Sequence, residues 1–232
     1  MNRILEVCLF AVTLATSITP TASAQSPELQ RGIRVELVAT SNASPMPEAD
    51  KNEAWIITVT ADGSLYFGID PVDTEGLANN MLIHPRKRTA KLYIKADARA
   101  PFANVEKVLA IGRTAGFESS VLLTSQAELR SQASMVPPKG LEVLVGPPLP
   151  AGAPAIVLEV LNSGEQLPSL RINGDQIPWP ALQNTLRQHL QKGDQKLVLL
   201  KGEEQLGFAD IVQVIDACHS LGAQVVLPTP QL

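Results

Sequence analysis

One strand-loop-helix pattern occurs twice, as LYIKADARAPFANV at Leu92–Val105 and as LVLLKGEEQLGFADI at Leu197–Ile211. Each version runs from an apolar strand through a Lys and a charged loop into a helix that opens near Phe-Ala. Three residue pairs share one spacing of 106 positions: Lys95 and Lys201, Phe102 and Phe208, and Gly116 and Gly222. We therefore predict that the chain forms the same strand-loop-helix unit twice, and we call each of these units a corner.

The similarity extends over most of the chain, which predicts a tandem repeat. RGIRVELV at Arg31–Val38 matches KGLEVLVG at Lys139–Gly146, and both copies close on an apolar run that ends in Thr. DTEGLANNML in the first copy matches WPALQNTLRQHL in the second. These matches place the copies at residues 31–124 and 139–230. Residues 125–138 are polar and end in Pro-Pro, as expected of a linker.

In the first copy, alternation of Ile33, Val35 and Leu37 predicts an entry strand. Asp-Gly between two apolar runs predicts a hairpin turn at residues 62–63. A helix is expected from about Thr74 to Ile83, and a second from about Pro101 to Ala115. Gly116 then suits the left-handed position after a helix end, as Gly222 does in the second copy.

In the second copy, two apolar stripes predict the corresponding helices. Ile211, Val214, Ile215 and Cys218 fall at i, i+3, i+4 and i+7, and leucines recur every four residues at 182, 186 and 190. We therefore expect an α+β fold of two tandem two-layer domains. Each would be a roughly five-stranded sheet with two helices on one face.

Composition limits the classes of function. The chain has 232 residues, 45% of them hydrophobic, and a formal net charge of −4. That apolar content is enough to form buried hydrophobic cores. The acidic balance argues against a nucleic-acid partner, which usually requires a basic surface.

The N-terminus predicts a secretory signal peptide over residues 1–24. Arg3 precedes an apolar run from Val7 to about Ile18, and Ala22-Ser23-Ala24 forms a small-residue cleavage site. A retained membrane anchor is the alternative, although the run is shorter than the about 20 residues of a typical span. Cleavage would leave Cys218 as the only cysteine, so no intrachain disulfide could form.

No arrangement of residues predicts catalysis, a metal or a cofactor. His84, His189 and His219 lack metal-ligand spacing and are expected at exposed helix positions. Cys218 lies on an apolar helix stripe beside His219, and adjacent helix residues point about 100° apart. We expect a buried structural thiol there rather than a nucleophile. The glycines form no nucleotide-binding motif, and no Ser sits in a GxSxG elbow.

The charged corners are the remaining candidates for contact with a ligand or partner. The residues concerned are Lys95, Asp97, Arg99, Lys201 and Glu203. A solubilising loop is the alternative interpretation of the same charges. Because Phe102 and Phe208 persist in both copies, we expect them to be structural, anchoring each helix start on the core.

Each copy resembles the periplasmic domain of the ExbD/TolR biopolymer-transport family. The first copy carries the family's features in order: RGIRVEL, TADGSLYFG, VDTEGL, YIKADARAPFANVEKVL and TAGFESSVLLT. The second copy departs from it where Gly202-Glu203 replaces Ala-Asp, and its hairpin is stretched by NSGEQLPS.

The resemblance implies a role in proton-driven motors of the inner membrane. Family members act with ExbB/TolQ-type components, carry an Asp in their membrane helix, dimerise, and in the TolR branch resemble a peptidoglycan-binding module. The run from Val7 to Ile18 contains no Asp, and Glu6 lies only at its edge. We therefore do not carry proton coupling over, because a relay carboxylate must lie within the membrane.

Three hypotheses follow for the function. The leading one is a non-enzymatic periplasmic protein that binds peptidoglycan or a motor component, with either its two domains pairing within one chain or two chains forming a homodimer. The second is an anchored transport subunit of the inner membrane, with residues 4–20 as its span. The third, an enzyme, would need a polar cluster near His189 or His219.

Overall fold

A computed structural model describes residues 33–51, 53–84, 90–117, 119–125, 138–147, 155–164, 166–192 and 196–229, with Lys192 described in backbone only. The described residues form strands in three groups along the chain. The strands before the first corner helix are β1 Ser44–Pro45, β2 Trp55–Val59, β3 Leu65–Phe67, β4 Asp70–Val72 and β5 Leu92–Ala96. The central strands are β6 Ser119–Thr124 and β7 Lys139–Gly146. The remaining strands are β8 Ile156–Leu161, β9 Ser169–Ile172, β10 Asp175–Ile177, β11 Leu197–Gly202 and β12 Gln224–Pro228.

Four α-helices connect these strands, together with short 3-10 turns at Pro47–Asp50 and Trp179–Ala181. The helices are α1 Thr74–Ile83, α2 Phe102–Thr114, α3 Leu182–Lys192 and α4 Phe208–Ser220. The helix bounds of α1 and α2 confirm the predictions from the sequence. Asp73 caps α1, since its carboxylate accepts a hydrogen bond from Gly76 N at 2.7 Å.

The strands form one continuous sheet of 12 strands, with the path β10-β9-β8-β11-β12-β7-β6-β5-β2-β3-β4 and β1 paired to β7. Read outward from β7, the two sides carry the same sequence of elements. β12 and β6 come first, then β11 and β5, then β8 and β2, and finally a hairpin on each side. The mixed α+β class is confirmed.

The prediction of two separate sheets is wrong, because β7 serves both halves. It pairs in parallel with β12 and antiparallel with β6, where Thr124 lies opposite Lys139. Two separate domains would leave the edges of these apolar strands unpaired, and the shared strand removes both edges. The expected linker of residues 125–138 therefore joins two strands that pair with each other; its residues 126–137 lie outside the described part.

The predicted entry strand at residues 33–37 is also wrong. This segment has no strand structure, although Ala39 forms a parallel bridge with Ser125. The edge of β6 along Ser119–Thr124 is already occupied by β7. A strand edge accepts one partner, so this segment is held instead by separate main-chain and side-chain hydrogen bonds, among them Ala98 N to Glu36 O at 2.8 Å and Ser125 N to Val38 O at 2.9 Å.

Other local predictions are confirmed. β2 and β3 form the hairpin with Val59 opposite Leu65, and Gly63 has φ 83° at its turn. Gly116 and Gly222 have φ 87° and 68°, the left-handed conformation expected after a helix end. β5 pairs in parallel with both β2 and β6.

One hydrophobic core runs between the sheet and the helices through both halves. It contains the predicted stripe of α4 and the three leucines of α3, all of them buried. A smaller cluster on the other face of the first half joins Ala49 to Tyr93, Val121 and Leu123. Packing on both faces explains why β5 and β6 each carry three consecutive buried apolar residues, at 92–94 and 121–123.

Candidate functional site: the paired corners

The two strand-to-helix corners lie against each other and share main-chain hydrogen bonds. Pro101 forms an antiparallel bridge with Gly207. Phe102 N donates to Leu206 O at 2.9 Å, and Phe208 N donates to Ala100 O at 2.9 Å. The two corners, which the sequence presents as separate copies, are therefore one structural unit.

A second pair of bonds extends this unit with the same symmetry. Ala103 N donates to Glu204 O at 3.3 Å, and Ala209 N donates to Ala98 O at 3.0 Å. Each donor and acceptor of one bond lies 106 positions from its counterpart in the other. The corners are thus related by a local two-fold axis that passes between Pro101 and Gly207.

Both corner phenylalanines are buried at the start of their helices. The ring of Phe102 reaches across to Gly202 of the other half, where a Cβ in place of the glycine hydrogen would lie 3.0 Å from Cε1 of Phe102. The same Cβ would lie 2.5 Å from Cδ1 of Ile211. Gly202, at the position of Ala96, therefore leaves the space that the Phe102 ring fills.

Asp97 holds the first corner to the N-terminal part of the described chain. Its carboxylate accepts hydrogen bonds from Glu36 N and from Arg99 N, each at 3.0 Å. The Arg99 guanidinium donates two more, from Nε at 3.0 Å and Nη2 at 3.3 Å. The hydrogen bonds from Arg99 above all lower the pKa of this buried carboxyl to about 2, against the cost of burial.

Lys95 acts beside Asp97 on the same segment. Its Nζ donates to Ile33 O at 2.8 Å, and the side chain is half-buried, which lowers its pKa. Arg99 remains largely exposed while paired with Asp97. The structure thus brings the three candidates of the first corner together, where they hold residues 33–36 against the sheet end.

The candidates of the second corner are arranged differently. Glu203 accepts a hydrogen bond from Asn162 N at 2.8 Å and so holds the loop after β8. Lys201 is exposed on β11, opposite Glu159 of β8. Glu204 is exposed as well. Burial of Glu106 raises the pKa of that carboxyl, and the negative charge of Glu204 raises it further. The five candidate residues therefore do not converge on one cluster.

Asp216 is an anchor that the sequence did not reveal. From helix α4 its carboxylate accepts hydrogen bonds from Ser41 N at 3.2 Å, Asn42 N at 2.9 Å and Asn42 Nδ2 at 3.1 Å. A carboxylate that binds residues more than 170 positions away carries no local signal that could have identified it.

The histidines and the thiol occupy distinct environments. His84 is exposed, as expected. The expectation of exposure is wrong for His189 and His219, which are half-buried because their helix faces pack against the rest of the fold. Nε2 of His219 carries a hydrogen and donates to Glu142 O at 3.0 Å. Cys218 is buried, and burial raises its thiol pKa to about 12.

An open cleft of about 270 Å³ lies beside the first hairpin turn. Leu65 and Val72 line it with apolar surface, and Asp73 and Lys107 supply charges. Asn104 closes one side by donating to Gly63 O at 2.7 Å. The loop between β8 and β9 is longer than the turn between β2 and β3, so the hairpins of the two halves differ here.

The described residues contain neither a metal cluster nor a membrane-spanning helix. Within these ranges, no three His, Cys, Asp or Glu side chains gather as a metal site requires. None of the helices in the described part combines the length and apolar character that crossing a membrane demands.

Comparison with known proteins matches the chain to one family, described as Biopolymer transport protein ExbD/TolR, over residues 8–127. No curated protein and no solved structure matches the chain. The matched region is just over half of the 232 residues and covers the first copy but not the second. The match bears out the resemblance carried by the motifs of the first copy, and the chain belongs to the ExbD/TolR family of biopolymer transport proteins, an envelope-associated family.

Proposed function

We propose that this protein is a non-enzymatic periplasmic member of its family that binds peptidoglycan or an ExbB/TolQ-type motor component. The family match over residues 8–127 supports the envelope role. The observation that carries the proposal is the shared sheet. Two family-like halves meet around β7, so a single chain holds the two candidate corners in one fixed arrangement, which supports a binding role.

We infer that the pairing arose by tandem duplication of the periplasmic domain, with copies at residues 31–124 and 139–230. The matching order of elements on the two sides of β7 supports this inference, as do the equivalent hydrogen bonds of the two corners. A chain that pairs with itself needs no second copy for this arrangement. We therefore expect a monomer of 24.8 kDa, less the signal peptide, in light scattering.

The binding test is co-sedimentation of the purified chain with peptidoglycan sacculi, in parallel with capture by a detergent-solubilised ExbB/TolQ-type complex. Lys201→Ala tests the exposed candidate of the second corner, and Lys196→Ala is a matched control, since Lys196 is also exposed in the second half. We expect Lys201→Ala to lose binding to one of the two baits, and we expect Lys196→Ala to keep it. Failure of the wild-type chain to bind either bait would overturn the proposal.

One observation favours a second candidate, an anchored subunit of a transport system driven by the proton-motive force. The family match begins at residue 8, inside the apolar run from Val7 to Ile18. The N-terminal segment lies outside the described residues. Intact-mass measurement after cell fractionation separates the candidates: a soluble species that starts at Gln25 excludes the anchor, whereas a membrane-bound species that retains Met1 supports it.

A further inference from the structure

The first corner binds a short segment of its own chain, which precedes β1, through the main chain of that segment. Lys95 Nζ donates to Ile33 O at 2.8 Å, and Ala98 N donates to Glu36 O, also at 2.8 Å. The carboxylate of Asp97 accepts a hydrogen bond from Glu36 N at 3.0 Å. These three bonds use no side chain of the segment. The first corner is therefore a binding site for peptide backbone, and it is filled from within the molecule.

The second corner presents two of the same donors to solvent. Lys201 stands at the position of Lys95, and Glu204 N stands at the position of Ala98 N. Both residues of the second corner are exposed. No hydrogen bond between residues that the structure describes uses Lys201 Nζ or Glu204 N. The donors that hold a peptide segment at one corner are thus available for another acceptor at the second.

The segment of the second half that matches the bound segment in sequence lies elsewhere. Residues 139–146 form β7, which is paired along both edges, so they are not free to cover the second corner. Glu203, at the position of Asp97, accepts a hydrogen bond from Asn162 N of its own half. The second corner therefore keeps the two N–H donors of the backbone-binding site, while its carboxylate serves the loop after β8.

We infer that the second corner binds a peptide segment of a partner protein through its main chain. Lys201 Nζ and Glu204 N donate to two carbonyl oxygens of that peptide. The first corner shows the required spacing, since its two carbonyl acceptors, Ile33 O and Glu36 O, are three residues apart. The inference rests on the proposed function and deepens it, because it names the chemistry of the partner that the same corner takes.

The charges of the two corners predict which peptide the second one prefers. Residues 95–99 carry two basic side chains and one acidic side chain, a net charge of +1, whereas residues 201–205 carry one basic and two acidic, a net charge of −1. Asp97 above all, and Glu36 of the bound segment to a lesser degree, raise the pKa of Arg99. An acidic residue in the segment thus suits the first corner. Charge complementarity favours a Lys or Arg at the same place in a peptide that the second corner binds.

Two synthetic peptides test this inference on the purified chain. Both correspond to residues 33–38 with capped ends, one with the native sequence IRVELV and one with Glu36→Lys. In an NMR titration of isotope-labelled protein we expect the amide signals of residues 201–205 to shift and those of residues 95–99 to stay, because the first corner is already filled. The Lys peptide should bind about threefold more tightly than the native one, and added salt should reduce the difference.

Substitution of Glu204 separates its N–H from its charge. Leu206 N donates to Glu203 O at 3.1 Å, so Glu204 is the second residue of a turn, a position where Pro is favoured. Glu204→Pro therefore removes the donor and keeps the turn, and Glu204→Ala is the matched control that keeps the donor. We expect Glu204→Pro and Lys201→Ala each to weaken binding of the Lys peptide about fivefold, and Glu204→Ala less than about twofold. Circular dichroism checks that the variants fold alike.

Several results would overturn the inference. They are no binding of either peptide, equal affinity in the wild type and both donor variants, tighter binding of the native peptide, or shifts confined to the first corner. A dimer in light scattering that Glu204→Pro abolishes would also overturn it, by identifying a second copy as the occupant. A chain that binds the Lys peptide but neither sacculi nor the motor complex would overturn the proposed function alone. Binding to either bait without binding of the peptides would overturn this inference alone.

Discussion

The two corners have the same backbone and different side-chain roles. In both, a strand leads through a short loop into a helix that begins at a buried Phe, and their main chains pair about one axis. The first corner uses Asp97 to hold Glu36 of the segment before β1, while the second has Gly202 and Glu203 at the positions of Ala96 and Asp97. The backbone of the corner is therefore independent of the polar side chains it carries. Parallel substitutions in the two corners test this independence.

Truncation of the corner phenylalanines should have the largest effect. Phe102→Ala and Phe208→Ala each remove a buried aromatic side chain, so each should lower the free energy of unfolding by about 3–5 kcal/mol. Urea denaturation monitored by circular dichroism measures both. Similar costs would support equal scaffold roles; a cost below about 1 kcal/mol for either one would contradict them.

Asp97→Asn should cost about 2 kcal/mol at neutral pH, the next largest effect. The folded-state pKa of about 2 lies below the unfolded value, so the stabilisation is complete above about pH 4 and is lost as the pH falls through 2. Unfolding by urea from pH 7 to pH 2 should show this loss in the wild type, and a flatter profile in the variant.

Glu203→Gln is the matched control for Asp97→Asn, because Glu203 occupies the position of Asp97 in the second corner. Its carboxylate accepts one described hydrogen bond from Asn162 N. We expect a cost below about 1 kcal/mol. Equal costs for the two substitutions would show that Asp97 and Glu203 contribute equally to the free energy of unfolding.

Gly202→Ala should destabilise the protein by about 1–3 kcal/mol, since the new Cβ would overlap Ile211 Cδ1 and press on the Phe102 ring. Gly146→Ala is the control: its Cβ would meet Val226 Cγ1 at an ordinary 3.6 Å. Thermal unfolding compares the two. Phe102→Leu should recover part of the loss in the Gly202→Ala background, and additive costs would show that the ring does not fill this space.

The scaffold of the corner was predictable from sequence, because its signals are local. A Pro at the first corner and the Gly after the helix predicted α2 to within one residue at each end, and apolar residues at helical spacing predicted a helix through Ile211–Cys218, which lies within α4. The contact between the corners was not predictable. It depends on pairing between residues about 106 positions apart, and on β7 being placed between β6 and β12. Local patterns specify a strand but not which of two free edges it will join.

The same limit applies to the candidate residues. Lys95, Asp97 and Arg99 have the charge pattern of a contact site, yet their partners include Ile33 O and Glu36 N, which the apolar alternation assigned to a regular strand. Once β7 displaced that strand, its backbone groups needed other partners, and these side chains supplied them. A wrong strand assignment and an unforeseen role for Asp97 thus have one cause.

Substitution of His219 should have the smallest effect on stability. It extends the comparison of the two halves to the ends of helices α2 and α4. Arg113 occupies the equivalent position in α2, where Nη2 donates to Thr229 O at 3.4 Å and the charge is permanent. His219 donates to Glu142 O, and burial lowers its pKa, although Asp216 and Glu142 act in the opposite direction. The folded state therefore takes up a proton less readily than the unfolded state does.

The sign of this difference gives the helix end of the second half a pH dependence that the permanently charged Arg113 cannot give the helix end of the first. Stability contributed by neutral His219 is complete above about pH 6.5, the unfolded pKa, and falls as the pH drops below it. His219→Gln keeps a donor for Glu142 O and removes the titration, so its stability should change less than that of the wild type between pH 7 and pH 5. Arg113→Gln should leave the slope over this range unchanged. Equal slopes in wild type and His219→Gln would show that the helix ends do not differ as the contacts indicate.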